Sequence, residues 1–153
     1  MGHANPDRGI QRLPLNTKRR ALGQLIVCKG CCCGRTDRGL PEVPIERIKE
    51  IWRLEKLNRS IQLTVSGCLG PCDVPNVVLI LAPDRPEWFG RIAGDASYDL
   101  LIQWARDCHV AGSLVPMPAP LTENRLERFA AKEFQGHSKL ACEVQYPCGK
   151  RWN

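Results

Sequence analysis

The chain has no apolar run approaching the about twenty residues that cross a bilayer as a helix, so no membrane span is expected. Its opening stretch, MGHANPDRGIQRLPLNTKRR, lacks the apolar segment of a secretory leader. No segment repeats, which argues against a solenoid or array. Acidic residues are scarce at the start. Residues 1–40 hold two, Asp7 and Asp37, against eight basic ones: Arg8, Arg12, Lys18, Arg19, Arg20, Lys29, Arg35 and Arg38. Beyond residue 40 the fourteen bases and fourteen acids cancel, so the formal net charge of +6 lies within the first forty residues. Aromatics make up 6% of the chain, and none interleaves with the basic residues of the arm. With no nucleic-acid module recognisable, nucleic acid is not the expected partner. Residues 1–20 read as a basic, solvated arm. The charge near Cys28–Cys33 reads as a collar that steers a partner with an acidic docking face.

Cysteine, by contrast, is abundant. There are nine in 153 residues, and the stretch VCKGCCCGRTDRG (27–39) holds Cys28, Cys31, Cys32 and Cys33. Adjacent cysteines cannot easily pair with each other, and the total is odd. A disulfide framework is therefore a poor reading, and a reducing cytoplasm, with cysteines for metal or redox chemistry, is the better one. The length suits one domain and suffices for a core without covalent staples.

The pattern along the chain predicts the order of elements. ALGQLIVC (21–28) is an apolar strand ending at Cys28, followed by a Gly-rich loop. PEVPIERIKEIWRLEKLN (41–58) is a helix with Pro44 in its first turn, an apolar stripe of Ile45, Ile48, Ile51 and Trp52, and Asn58 at its end. SIQLTVS (60–66) alternates as a strand. The loop GCLGPCDVPN follows, then a hairpin of VVLIL (77–81) and EWFGRIA (87–93), then a helix over 96–110 capped by Asp95. Pro116, Pro118 and Pro120 mark residues 111–121 as an extended linker, and TENRLERFAAKEF (122–134) reads as a short amphipathic helix within a C-terminal extension, 122–153. A helix joining two strands makes them parallel, so their C-terminal ends share one edge of the sheet. Cys28, at the end of the first strand, and Cys68 and Cys72, after the second, are thereby brought together.

Four thiolates from two loops can hold a tetrahedral metal or a [2Fe–2S] cluster. The second pair is Cys68-x3-Cys72. The first is Cys28 with Cys31, Cys32 or Cys33. No cysteine lies between residues 34 and 67, so one of those three must serve. The C-x4-C spacing of Cys28 and Cys33, followed by SGCLGPC and an apolar strand, resembles the thioredoxin-like [2Fe–2S] ferredoxins, a group that includes the small cluster-bearing subunit of respiratory complex I and of NADH-linked hydrogenases. The resemblance covers residues 21–110, about sixty per cent of the chain. It implies a thioredoxin-like α/β domain (β-α-β, then a β-hairpin and a helix), one [2Fe–2S] cluster on Cys28, Cys33, Cys68 and Cys72, with Cys32 or Cys31 as substitutes for Cys33, and a homodimer. The implied function is single-electron transfer to a partner protein, not catalysis.

Two other classes compete. A structural or regulatory zinc module needs only the same four thiolates. A thiol–disulfide oxidoreductase would use Cys28-x2-Cys31, although such a pair normally opens a helix and here the chain continues as a Gly-rich loop. Gly67 and Gly70 read as turn residues, or as points where backbone N–H groups approach a cluster. Cys108 reads as a buried small hydrophobe, and Trp88 and Trp104 as packing residues. Cys142, Cys148, His109 and His137 are minor candidates for a separate metal role.

Overall fold

The structure, a computed structural model, describes residues 17–129. The first apolar run forms strand β1, Gly23–Cys28, and the alternating segment forms β2, Ile61–Ser66. Helix α1, Ile45–Leu54, connects them and buries Ile45, Ile48 and Trp52 at helical spacing. Trp52 Nε1 donates to the Ile61 carbonyl at 2.8 Å, which ties the helix to the head of β2. Pro44 immediately precedes the helix, where its missing N–H costs no hydrogen bond. The helix ends well before Asn58. Lys56 turns left-handed (φ 56°), and a 3-10 turn, Leu57–Arg59, buries Leu57 beneath the approach to β2. Asn58 sits in that turn and accepts the Leu63 N–H at 2.9 Å through Oδ1.

Strands β1 and β2 pair in parallel, Gly23 opposite Ile61 and Cys28 opposite Ser66. The hairpin strands β3 (Val78–Leu81) and β4 (Pro86–Phe89) are antiparallel, and β3 lies against β1. The sheet is mixed, four-stranded and ordered β2-β1-β3-β4, so the class is α/β as expected. By strand alternation Leu25, Val27, Ile61, Val78, Ile80 and Phe89 share one face. That face joins the buried sides of α1 and of α2 (Gly94–Ala111) in a single core. Tyr98, Leu101, Ile102, Trp104, Ala105 and Cys108 are the α2 contribution.

Three expectations fail here for physical reasons. Strand β4 stops at Phe89 instead of running to Ala93. Beyond Gly90 the Arg91 and Ile92 N–H groups donate to the carbonyls of Pro75 and Asn76, at 2.8 and 3.2 Å, which draws the chain away from the sheet. Asp95 does not cap α2. Ala93 holds that position without a side-chain bond, and Asp95, in the first turn, pairs with Arg47 of α1 at 3.1 Å. The amphipathic helix over 122–134 is absent from its described part. Helix α3 is only Ala119–Thr122, and the chain then runs along β4, with the Leu126 N–H donating to the Trp88 carbonyl at 2.8 Å and Arg125 bridged to Phe89. The edge of β4 offers unpaired backbone groups, and pairing with them outweighs a weak helical propensity. Residues 130–134 lie outside the described residues.

The proline-bearing stretch between α2 and α3 has no regular structure over residues 114–118, carries Pro120 into α3, and packs on the domain. Trp104 Nε1 donates to the Val115 carbonyl at 2.9 Å, and Leu114, Val115 and Met117 line the core. Leu121 is fully buried. Leu121→Ala is therefore expected to cost about 2–4 kcal/mol in denaturant unfolding. A cost near zero would return this segment to the status of a spacer. No helix among the described residues is long and apolar enough to cross a membrane.

Candidate metal centre

Both parallel strands end at one edge, and both cysteine loops start there. Lys29 N–H donates to the Ser66 carbonyl at 2.8 Å, one residue past the last strand pair. The loops then touch through glycines. A Cβ built on Gly30 would lie 2.2 Å from the Gly67 carbonyl oxygen, so only glycine permits this approach. Gly67 itself has open space where a Cβ would stand. Sequence reading had considered Gly67 and Gly70, but it is Gly30 that sets the distance between the loops.

Six cysteines, Cys28, Cys31, Cys32, Cys33, Cys68 and Cys72, line one small cavity together with Gly70, Pro71 and Val77. They form an inner and an outer set. Cys28 and Cys33 are buried, and each acts strongly on the other's protonation. Cys33 is the more acidic, lowered to about 6 by the Cys28 thiol and then by the backbone N–H groups of Val77 and Asn76. The Cys28 thiol is pushed well up, chiefly because it donates to Cys33 and secondly by burial, while the Leu69 N–H pulls the other way. Cys68 and Cys72 lie on the outer side with sulfurs 3.6 Å apart, and burial followed by Cys68 pushes Cys72 up to about 12. Cys31 and Cys32 have sulfurs 4.0 Å apart, and with Cys72 they form a trio whose sulfurs all lie within 4.8 Å of one another.

Asn76 organises the inner pair, and sequence reading missed it. It is buried, with φ 54°. Its Oδ1 accepts the Gly34 N–H at 2.9 Å, and its Nδ2 donates to the carbonyls of Pro41 and Ile92, each at 3.0 Å. One side chain thus fixes the end of the first cysteine loop, the lead into α1 and the lead into α2. The signal was present in VPNV, since asparagine after proline tolerates a left-handed turn better than most residues.

The charge around this edge differs from the simple collar. Lys29 is exposed beside Cys28, but Arg35 is paired with Asp37 at 2.6 Å, and Arg38 reaches toward the Cys31 carbonyl at 3.5 Å. Arg128, from the strap along β4, adds a cation that was not foreseen. Its guanidinium lies 5.9 Å from the Trp88 ring and 5.3 Å from the Phe129 ring, and a Cβ on Gly70 would come within 2.7 Å of its Nη2. Lys18, Arg19 and Arg20 lie elsewhere, beside α1.

Of the remaining candidates, Cys108 is buried and its sulfur accepts the Val115 N–H at 3.4 Å. His109 Nδ1 and Ser60 Oγ are hydrogen-bonded at 2.8 Å. Trp104 is buried. Cys142, Cys148 and His137 lie outside the described residues. The donor set is all sulfur, which suits soft or borderline metals such as zinc, Cu(I) or iron–sulfur clusters and not calcium or magnesium. Fold and site together define an α/β domain carrying a candidate thiolate metal centre at one sheet edge. Comparison with protein-family models, with curated proteins and with solved structures returned no match.

Proposed function

We propose that this is a thioredoxin-like [2Fe–2S] protein of the ferredoxin kind, an electron carrier and not an enzyme, with the cluster held by Cys28 and Cys33 on one side and Cys68 and Cys72 on the other. The observation that carries it is that these four cysteines line one small cavity where the two parallel strands end, Cys28 and Cys33 from one loop and Cys68 and Cys72 from the other. A strand order of β2-β1-β3-β4, with a helix after β1 and another after β4, is compatible with a thioredoxin-like chain and supports the reading. Such a cluster, when bound, takes up and gives back one electron at a time.

The residues of the chain supply the rest. Cys28 and Cys33 provide ligands from a buried wall, so one side of the site is shielded from water. The backbone N–H groups of Leu69, Val77 and Asn76 favour the charged form of those thiols, and such donors raise a reduction potential by stabilising negative charge. Cys68 is exposed, which makes the CLGPC loop the contact side for a redox partner. Lys29, Arg38 and Arg128 near this edge favour a partner with an acidic face. Electron-transfer rates are expected to fall as salt screens that attraction.

A second reading has its own observation. The trio Cys31, Cys32 and Cys72 offers three thiolates for zinc, and Cys68, with its sulfur 3.6 Å from that of Cys72, is at hand as a fourth. The thiol–disulfide reading gains least, because the thiol that acts most on Cys28 is that of Cys33 and not of Cys31. Iron, sulfide and zinc quantitation with EPR on the single Ser variants separates them. The cluster reading expects red-brown protein with two irons and two sulfides, loss in Cys33→Ser, and retention in Cys31→Ser and Cys32→Ser. One zinc without sulfide, lost in Cys31→Ser or Cys32→Ser and kept in Cys33→Ser, would establish the second reading instead.

A further inference from the structure

The opposite end of the sheet carries a second feature that the cysteines do not explain. Strands β1 and β2 begin at Gly23 and Ile61, about 17 Å along the strands from the cysteine edge at 3.3 Å per residue. There the residues leading into β1 converge with the C-terminal half of α1 and the 3-10 turn after it. They enclose an open cavity of about 790 Å³. Seven cations line it, Lys18, Arg19, Arg20, Lys49, Arg53, Lys56 and Arg59, and no carboxylate does.

The acids of the described residues leave these cations largely unbalanced. Lys49 pairs with Glu46 at 3.0 Å. Among the described residues, the other six make no ion pair. Glu55, the acid nearest them along the chain, is occupied by Arg106 at 2.5 Å. Gathering six uncompensated cations about one concavity costs stability through self-repulsion, and an anion bound there relieves it. The one aromatic in the lining, Trp52, is fully buried, with its N–H committed to Ile61, so no ring is offered for stacking a base. The volume is that of a small-molecule site. Four of the seven are arginines, whose planar donors suit phosphate oxygens.

We infer that this groove binds a compact, multiply phosphorylated small molecule, recognised through its oligophosphate chain. The site is separate from the cysteine edge and stands whether or not the cluster reading holds. Calorimetric titration of the full chain at about 0.15 M ionic strength, where surface attraction is screened beyond about 8 Å, provides the test. The probes are inorganic tripolyphosphate, ATP, orthophosphate, adenosine and single-stranded oligonucleotides of increasing length. Tripolyphosphate should bind one to one, orthophosphate at least about a hundredfold more weakly, and adenosine not at all, since each lost charge contact weakens binding about fivefold or more. ATP binding as tightly as tripolyphosphate confirms that the chain of phosphates alone is read, and ATP binding more tightly adds a nucleoside contact to the same site. The variant Arg20→Gln/Arg53→Gln/Lys56→Gln/Arg59→Gln should lose at least about tenfold in affinity with unchanged circular dichroism and metal content, while Arg85→Gln, on the β3–β4 turn, should not. Absence of tripolyphosphate binding, or equal binding by the quadruple variant, overturns the proposal. Oligonucleotide affinity that exceeds that of tripolyphosphate and grows with length overturns it in favour of nucleic acid.

Discussion

Asn76→Ala is expected to destabilise the domain by about 2–3 kcal/mol and, on the proposed reading of the centre, to abolish metal retention at the inner cysteine pair. The substitution removes an acceptor from the partly buried Gly34 N–H and a donor from the carbonyls of Pro41, which water can reach, and of buried Ile92, which keeps the Tyr98 hydroxyl at 3.3 Å. Each buried group left unsatisfied costs about 1–3 kcal/mol, and a left-handed backbone at φ 54° adds about 1 kcal/mol or more for a residue other than asparagine or glycine. Against a typical stability of about 5–15 kcal/mol the loss is large. Two further variants separate the contributions. Asn76→Gly relieves the backbone strain and still loses the bonds, so it should fall between the parent and Asn76→Ala. Asn76→Asp keeps an acceptor for Gly34 but faces the Pro41 and Ile92 carbonyls with a carboxylate, so it should be at least as damaging as alanine. Denaturant unfolding and metal content measure both effects. Asn76→Ala within about 1 kcal/mol of the parent, with metal undiminished, would remove Asn76 from its place behind Cys33.

Much of this arrangement is readable from the chain, because its signals are local or topological. The apolar run ending at Cys28, the Ile45, Ile48 and Trp52 spacing and the alternation through IQLTVS specify β-α-β, and a helical crossover then forces the two strands into parallel. From that constraint alone the CCC and CLGPC loops fall at one edge. What escaped was decided by groups distant in sequence. The strap at 123–129 lies along β4 because an edge strand there needs hydrogen bonds, and helical periodicity in LERFAAKEF carries no trace of that demand. Asp95 is drawn to Arg47, forty-eight residues away, in preference to capping its own helix. The basic arm is likewise divided. Lys18, Arg19 and Arg20 join α1 at the far end of the sheet, and the cysteine edge gains Arg128 from the strap instead. A net charge assigned to a segment of sequence does not say which end of a sheet receives it.

On the proposed reading of the centre, Gly30→Ala is expected to strip metal from the protein while Gly67→Ala leaves it in place. The two glycines face each other across the loops, but the contact is one-sided. An alanine Cβ at position 30 would lie 2.2 Å from the Gly67 carbonyl oxygen, where no Cβ sits in a real structure, and the obstacle is backbone that cannot rotate away. Position 30 also has φ 157°, at the limit of what a side chain accepts. At position 67 a Cβ meets nothing within 4 Å. Relief at position 30 must come from separating the loops, at a cost of about 1–3 kcal/mol for overpacking. That movement carries Cys31, Cys32 and Cys33 away from Cys68 and Cys72. The core beneath does not depend on the contact, so unfolding should shift less than metal content falls. Gly67→Ala should change stability by no more than about 1 kcal/mol and keep the full complement of metal. Equal metal content in the two variants would show that the cysteine pairs are positioned independently of the Gly30–Gly67 approach, and the centre would then be held by its thiolates alone.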